Sequence, residues 1–134
     1  MYPRLLGGGF GTRADYPLAS TALDVTIAGM NGDGIGDVLA PMASGASGSL
    51  AVLPGQSAGG LGAATTYGNL SFPWRVFVGR FNADAYPDVA VFKSGPAFAV
   101  FFGQAGGSLG APTSVPLFFS GEAGRRWATW TAMA

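Results

Sequence analysis

Two acidic loops of nearly the same design constrain this chain more strongly than any other feature of its sequence. The first loop spans residues 29–37, the second spans residues 80–88, and an apolar stretch follows each. Three polar residues of the first loop recur 51 positions later, in the pairs Asn31 and Asn82, Asp33 and Asp84, and Asp37 and Asp88. Recurrence at a fixed spacing predicts a fold built from repeated structural units.

A second recurrence indicates the size of these units. Residues 52–65 match residues 100–113 at eight of fourteen positions. Parts of further copies lie at both ends of the chain, where residues 127–131 resemble residues 74–78. We therefore expect a single repeat-built domain, with a partial unit at 1–23, full units at 24–73 and 74–123, and the start of another unit at 124–134.

Short apolar runs between turn residues predict β-structure throughout. Glycine accounts for 23 of the 134 residues and proline for nine, which disfavours long helices. The expected strands are 24–28, 37–41, 49–53, 74–79, 88–92, 97–102 and 113–119. Four short strands per unit, apolar on both faces, are typical of a β-propeller blade. The expected fold class is all-β, with four-stranded antiparallel sheets and no helix longer than one or two turns.

Composition argues against several functions. The net charge is zero and only 10% of the residues are charged, so we expect no nucleic-acid binding. The chain has no His and no Cys, which rules out zinc sites built on those residues and Ser-His or Cys-His nucleophiles. Outside the two loops, Asp15, Asp24 and Glu122 form no recognisable catalytic pair, so we expect no enzyme activity. No apolar run is long enough for membrane insertion, and the first ten residues do not resemble a signal peptide.

The two loops allow two chemical interpretations. Oxygen-bearing side chains at alternate positions of a tight, glycine-containing turn are ligands that Ca²⁺ prefers. The same Asn and Asp side chains can instead accept hydrogen bonds from their own backbone and form ordinary polar turns. The residues alone leave both interpretations open.

The order of these features resembles the FG-GAP or VCBS repeat family. That repeat has an Asp-x-Asn-x-Asp-Gly-x-x-Asp loop, two apolar strands, a glycine-rich turn and a Phe-Gly pair. Matching segments lie, in order, at 31–40, 52–55 and 61–62, again at 82–91, 101–103 and 109–110, and in part at 5–11. The resemblance implies a β-propeller, as in integrin alpha subunits and some fungal lectins. It also implies calcium in a hairpin loop and an extracellular or cell-surface location.

Departures from the family pattern change what we expect of each loop. Gly29 and Arg80 stand where the family has its first loop Asp. By the resemblance, a weak Ca²⁺ site in the first loop would use Asn31, Asp33, the Ile35 carbonyl and Asp37. In the second loop we expect no ion, with Arg80 acting as a substitute cation that reaches Asp84 or Asp88 beside Asn82.

The chain is short for a propeller. It holds between two and three units, whereas propellers close with about four to eight blades. We expect the ring to be completed by self-association into a dimer or trimer, or by a partner chain in a larger assembly. Unpaired strand edges at residues 5–6 and 127–132 would lie in that contact.

The expected function is a non-catalytic scaffold for protein–protein interaction, adhesion or assembly. The alternative is lectin-like binding of glycans in the grooves between blades, where aromatic faces lie beside hydrogen-bond donors. The candidate ligand-binding residues are Trp74, Arg75, Arg126, Trp127 and Trp130.

Overall fold

The computed structural model describes residues 12–116 together with Gly7 and Gly9. Regular structure in this part of the chain is β-strand, apart from a short 3₁₀ turn at Ala105–Gly107. The strands are β1 (Thr21–Ala22), β2 (Thr26–Ala28), β3 (Asp37–Ser44), β4 (Ser47–Leu53), β5 (Thr65–Ser71), β6 (Arg75–Gly79), β7 (Asp88–Phe92), β8 (Ala97–Phe101) and β9 (Thr113–Pro116). The predicted all-β class is confirmed. A helix able to span a bilayer does not occur among the described residues.

The strands form two antiparallel sheets that follow one another along the chain. In the first sheet β3 pairs with β4 and β4 pairs with β5, while β1 and β2 both pair with the remaining edge of β3. The second sheet has the order β6-β7-β8-β9. Because β1 and β2 lie end to end along β3, both sheets are meanders that are four strands wide.

The two sheets share one register. Ala40 pairs with Ala51 in the first sheet, and Val91 pairs with Ala99 in the second. These are the same repeat positions, since Val91 follows Ala40 by 51 residues and Ala99 follows Ala51 by 48. The difference in spacing is absorbed at the β3–β4 hairpin tip, where Gly45 has a φ of +63° that glycine accepts without strain.

The main hydrophobic core lies between the two sheets. Successive side chains of a strand point to opposite faces, so a strand that is apolar at most positions can pack on both sides. Buried side chains of this inter-sheet core include Leu39, Leu50 and Val52 from the first sheet and Val89, Val91 and Phe101 from the second. Full burial of each such side chain stabilises the folded chain by about 1.5–3 kcal/mol.

Each sheet also has an outer face, on the side away from the inter-sheet core. We define the back face of the first sheet as Val25, Ile27, Val38, Ala51 and Leu53, with Ile27 paired to Val38. Tyr16 and Leu18 of the preceding segment pack against part of it. We define the front face of the second sheet as Phe77, Ala90, Phe92, Phe98 and Val100, with Phe77 paired to Ala90.

Candidate functional site

A buried carboxylate closes the first acidic loop. Asp37 lies at the start of β3 and is 1% exposed. The Met30 N–H donates to its Oδ2 at 2.7 Å, and the Gly55 N–H donates to its Oδ1 at 2.8 Å. One side chain therefore ties the beginning of the loop to the chain that leaves β4. We call this arrangement the Asp–Gly clasp.

The second sheet contains the same clasp. Asp88, 0% exposed at the start of β7, accepts hydrogen bonds from Phe81 N–H at 2.7 Å, Asn82 N–H at 3.3 Å and Gly103 N–H at 2.8 Å. A Cβ at Gly103 would overlap the Pro87 carbonyl oxygen, as a Cβ at Gly55 would overlap that of Gly36. The clasp therefore needs glycine as its second member in both sheets.

The rest of each loop is a succession of Asx turns. In the first loop, Asn31 Oδ1 accepts from Asp33 N–H at 3.1 Å, and Asp33 Oδ1 accepts from Ile35 N–H at 2.8 Å. In the second loop, Asp84 Oδ1 accepts from Tyr86 N–H at 3.0 Å. These contacts match the polar-turn interpretation of the sequence, in which Asn and Asp bond their own backbone.

The side-chain oxygens that the sequence assigns to Ca²⁺ in the first loop all accept backbone hydrogen bonds. Calcium takes about six to eight oxygen ligands, and the predicted ligand Asp37 directs both carboxylate oxygens to buried backbone N–H groups. Asn31 and Asp33 likewise accept from the backbone of their own turns. The described residues include no cluster of three or more His, Cys, Asp or Glu side chains placed to hold an ion.

Backbone N–H groups, and not Arg80, interact with the buried carboxylate of the second loop. Within the described part of the chain, Arg80 forms no ion pair with Asp84 or Asp88. Asp88 is enclosed by the amides of Phe81, Asn82 and Gly103, which already satisfy both of its oxygens. The Arg80 side chain is exposed. The expectation that its guanidinium substitutes for an ion is therefore corrected by the structure.

Among the described residues, three hydrogen bonds with side-chain acceptors tie neighbouring repeat units together. Tyr67 of β5 accepts from the Leu109 N–H of the second sheet at 3.2 Å. Tyr16, 51 residues before Tyr67, accepts from the Leu61 N–H of the first sheet at 3.1 Å. Residues 12–18 therefore occupy, beside the first sheet, the position that β5 occupies beside the second. The third bond runs from Val76 N–H to Asp24 Oδ2 at 3.1 Å.

The first loop also touches the second sheet. A Cβ at Gly107, whose φ is +86°, would lie 2.8 Å from Asn31 Cβ. The β8–β9 turn therefore approaches the loop so closely that only glycine fits at this position. A cleft of about 230 Å³ lies beside this contact, and Thr65, Tyr67 and Ser108 contribute to its lining. The predicted ligand residues Trp74 and Arg75 do not line this cleft.

Trp74 and Arg75 belong instead to an aromatic patch at the front face of the second sheet. The Trp74 and Phe77 rings lie 5.7 and 5.5 Å from the Phe92 ring, centroid to centroid, and Arg75 Cζ lies 5.5 Å from the Phe77 centroid. Trp74 is 43% exposed and Phe77 is 45% exposed. The other predicted ligand residues, Arg126, Trp127 and Trp130, lie outside the described residues, as do the strand edges expected at residues 5–6 and 127–132.

The back face of the first sheet carries an exposed aliphatic patch that the sequence reasoning missed. Val25 is 61% exposed and Ile27 is 68% exposed. Their repeat equivalents in the second sheet are Val76 and Val78, which contribute to the inter-sheet core, and Val76 is only 4% exposed. A comparison of positions 51 residues apart could have identified this pair as a packing surface.

Comparison of the chain with protein-family models, with curated proteins and with solved structures gave no match. The resemblance to FG-GAP repeats therefore stays a prediction from the sequence.

Proposed function

We propose that the chain is a non-catalytic binding module made of β-propeller blades, and that it serves as a scaffold for protein–protein interaction or assembly. The observation that carries this proposal is the unequal burial of equivalent residues. Val76 packs into the inter-sheet core, whereas Val25, at the same position of the preceding repeat, is 61% exposed. An exposed apolar surface that repeats an internal interface is typical of a binding surface.

The contacts of the acidic residues support a non-catalytic role. Asp37 and Asp88 are buried against backbone N–H groups, and Asp33 and Asp84 accept hydrogen bonds within their own turns. Hydrolysis by paired carboxyl groups requires two of them to face one substrate. The carboxylates of both loops instead hold the backbone in place.

The stacking of the two sheets supports their assignment as blades. Both are four-stranded antiparallel meanders with one register, and they pack face to face through apolar strands. Repeated sheets that stack in this way are the units of a propeller. On the resemblance to integrin-like repeats, we extend the proposal to an extracellular or cell-surface location.

The test exploits the absence of cysteine from the chain. A single cysteine at Ile27→Cys reports burial of the back face, and Tyr86→Cys is the matched control, since exposed Tyr86 lies in the second loop outside both faces. We expect alkylation at position 27 to slow when the chain associates, while position 86 reacts at an unchanged rate. A monodisperse monomer in light scattering, with an alkylation rate at position 27 that does not change with protein concentration, would contradict the proposal.

Carbohydrate binding is the second candidate, and the aromatic patch favours it. Trp74 presents a half-exposed ring, and the Arg75 guanidinium lies over the Phe77 ring of the same patch, so flat apolar faces and hydrogen-bond donors occur together. Screening on a glycan array should then show binding that Trp74→Ala abolishes and Tyr86→Ala preserves. Absence of binding by the wild-type chain would leave the scaffold as the sole proposal.

A further inference from the structure

We propose that the back face of the first sheet binds a second copy of this chain head to tail, so that the front face of the second sheet in one copy covers the back face of the first sheet in the other. This inference rests on the proposed function, because it names the partner of the same surface.

The contact between the two sheets within one chain supplies the template. There β6 of the second sheet lies against β2 and β3 of the first, and Val76 and Val78 pack into the inter-sheet core. Val25 and Ile27 are the same repeat positions and carry the same kind of β-branched side chain, but they are exposed. The first sheet therefore presents a surface suited to packing against another sheet of the same repeat.

The front face of the second sheet offers the complementary surface. Its exposed members, Phe77 and the adjoining Trp74, lie on or directly before β6, the first strand of that sheet. The exposed aliphatic residues of the back face lie on or directly before β2, the first strand of the other sheet. A single head-to-tail contact covers both patches, and it repeats the arrangement of β6 beside β2 within each chain.

Other contacts between copies fit the structure less well. A two-fold contact would place each face against itself, which has no counterpart in the internal interface, whereas repetition of that interface is heterologous and closes into a ring when the rotation fits. Pairing at sheet edges is hindered by Pro116 in β9 and by the register shift between β4 and β5. Residues 12–18 already lie in the outer position beside the first sheet, where β9 of a second copy would lie in a full repeat of the internal interface. The contact is therefore confined to the part of the two faces formed by β2 of one copy and β6 of the other.

Complementation between two variants tests this arrangement with the full chain. Ile27→Asp disables the back face and leaves the front face intact, and Phe77→Asp does the reverse. Head-to-tail binding predicts that each variant alone is monomeric, because neither has both faces. It also predicts that an equimolar mixture forms a one-to-one heterodimer, since one intact front face meets one intact back face.

Light scattering of the wild type, each variant and the mixture distinguishes the outcomes. Circular dichroism checks that each variant is folded, and Val25→Asp and Trp74→Ser provide a second pair for either face. Tyr86→Asp is the control and should associate as the wild type does. A variant that still dimerises alone, or a mixture that stays monomeric, would overturn the head-to-tail arrangement while leaving the back face as a binding surface. A monomeric wild type would overturn both this inference and the proposed function, whereas the two outcomes above overturn the head-to-tail arrangement alone.

Discussion

Replacing Asp88 by Asn tests whether one buried carboxylate holds the second sheet together. The side chain is fully buried, and its two oxygens accept hydrogen bonds from the backbone N–H groups of Phe81, Asn82 and Gly103. Asn has almost the same shape, but it has one acceptor oxygen in place of two. Its NH₂ group would face a backbone donor, so one side of the clasp must lose its partner.

The expected loss of stability follows from these contacts. A hydrogen bond to a charged group contributes about 1.5–3 kcal/mol, and a buried donor left unpaired costs about 1–3 kcal/mol. Losing either the 2.7 Å bond from Phe81 or the 2.8 Å bond from Gly103 should therefore lower the free energy of unfolding by about 2–4 kcal/mol. Domains of this size have a free energy of unfolding of only about 5–15 kcal/mol, so this loss should be readily measurable.

Urea unfolding followed by circular dichroism measures this difference as a shift of the midpoint at constant slope. Asp84→Asn is the matched control, because an Asn oxygen can still accept from Tyr86 N–H, and the bond it loses, from Asn82 Nδ2, is exposed to solvent. We expect the control to change the free energy of unfolding by less than about 0.5 kcal/mol. If the two variants unfold within that margin of each other, the reasoning about the clasp is refuted.

Three further predictions concern the clasp, the contact between sheets and the first loop. Gly103→Ala should destabilise the chain by at least about 2 kcal/mol, because its Cβ would overlap the backbone of the second loop. Gly68→Ala is the control: its Cβ would meet open space, so it should cost less than about 1 kcal/mol. Equal urea midpoints for the two variants would contradict this prediction. Tyr67→Phe removes the acceptor of the Leu109 N–H and should cost about 1–2 kcal/mol, against no change for the exposed control Tyr86→Phe. A calcium chelator should leave the melting temperature unchanged, since backbone N–H groups already hold the first-loop oxygens in place. A decrease that added Ca²⁺ reverses would show that the ion stabilises the fold.

The strands can be predicted where the sequence is apolar on both faces. β7 lies at Asp88–Phe92, as expected, and β3, β4, β6 and β8 end within three residues of their predicted bounds. β5 gives no such signal. Thr65–Ser71 is a largely polar edge strand with Gly68 and Asn69 at its centre, and Asn69 has a φ of +66°. Pairing with β4 imposes the strand conformation on the residues at either side, while Gly68 and Asn69 form the irregularity where the register shifts.

The recurrence of the loops identified important residues but gave some of them the wrong partners. Asp37 and Asp88 matter because they are buried, and burial depends on Gly55 and Gly103, which approach only after the next strand has paired. The recurrence of those two glycines was the available signal. The charge of Arg80 suggested an ion pair, but backbone amides at the start of the loop lie closer to the carboxylate. Such competition between partners is decided by three-dimensional placement.

The clasps have a consequence for the order in which the chain folds. Each clasp joins residues 15 or 18 positions apart, inside one repeat, whereas the bonds from Leu109 to Tyr67 and from Val76 to Asp24 join residues 42 and 52 positions apart. Closing a short loop costs less conformational entropy, so local contacts tend to form first. We expect each repeat to complete its hairpins and its clasp independently, with docking of the sheets as the later step. A chain assembled from such self-closing units can be extended by whole repeats, because an added repeat brings its own clasp and requires only a free face to dock on.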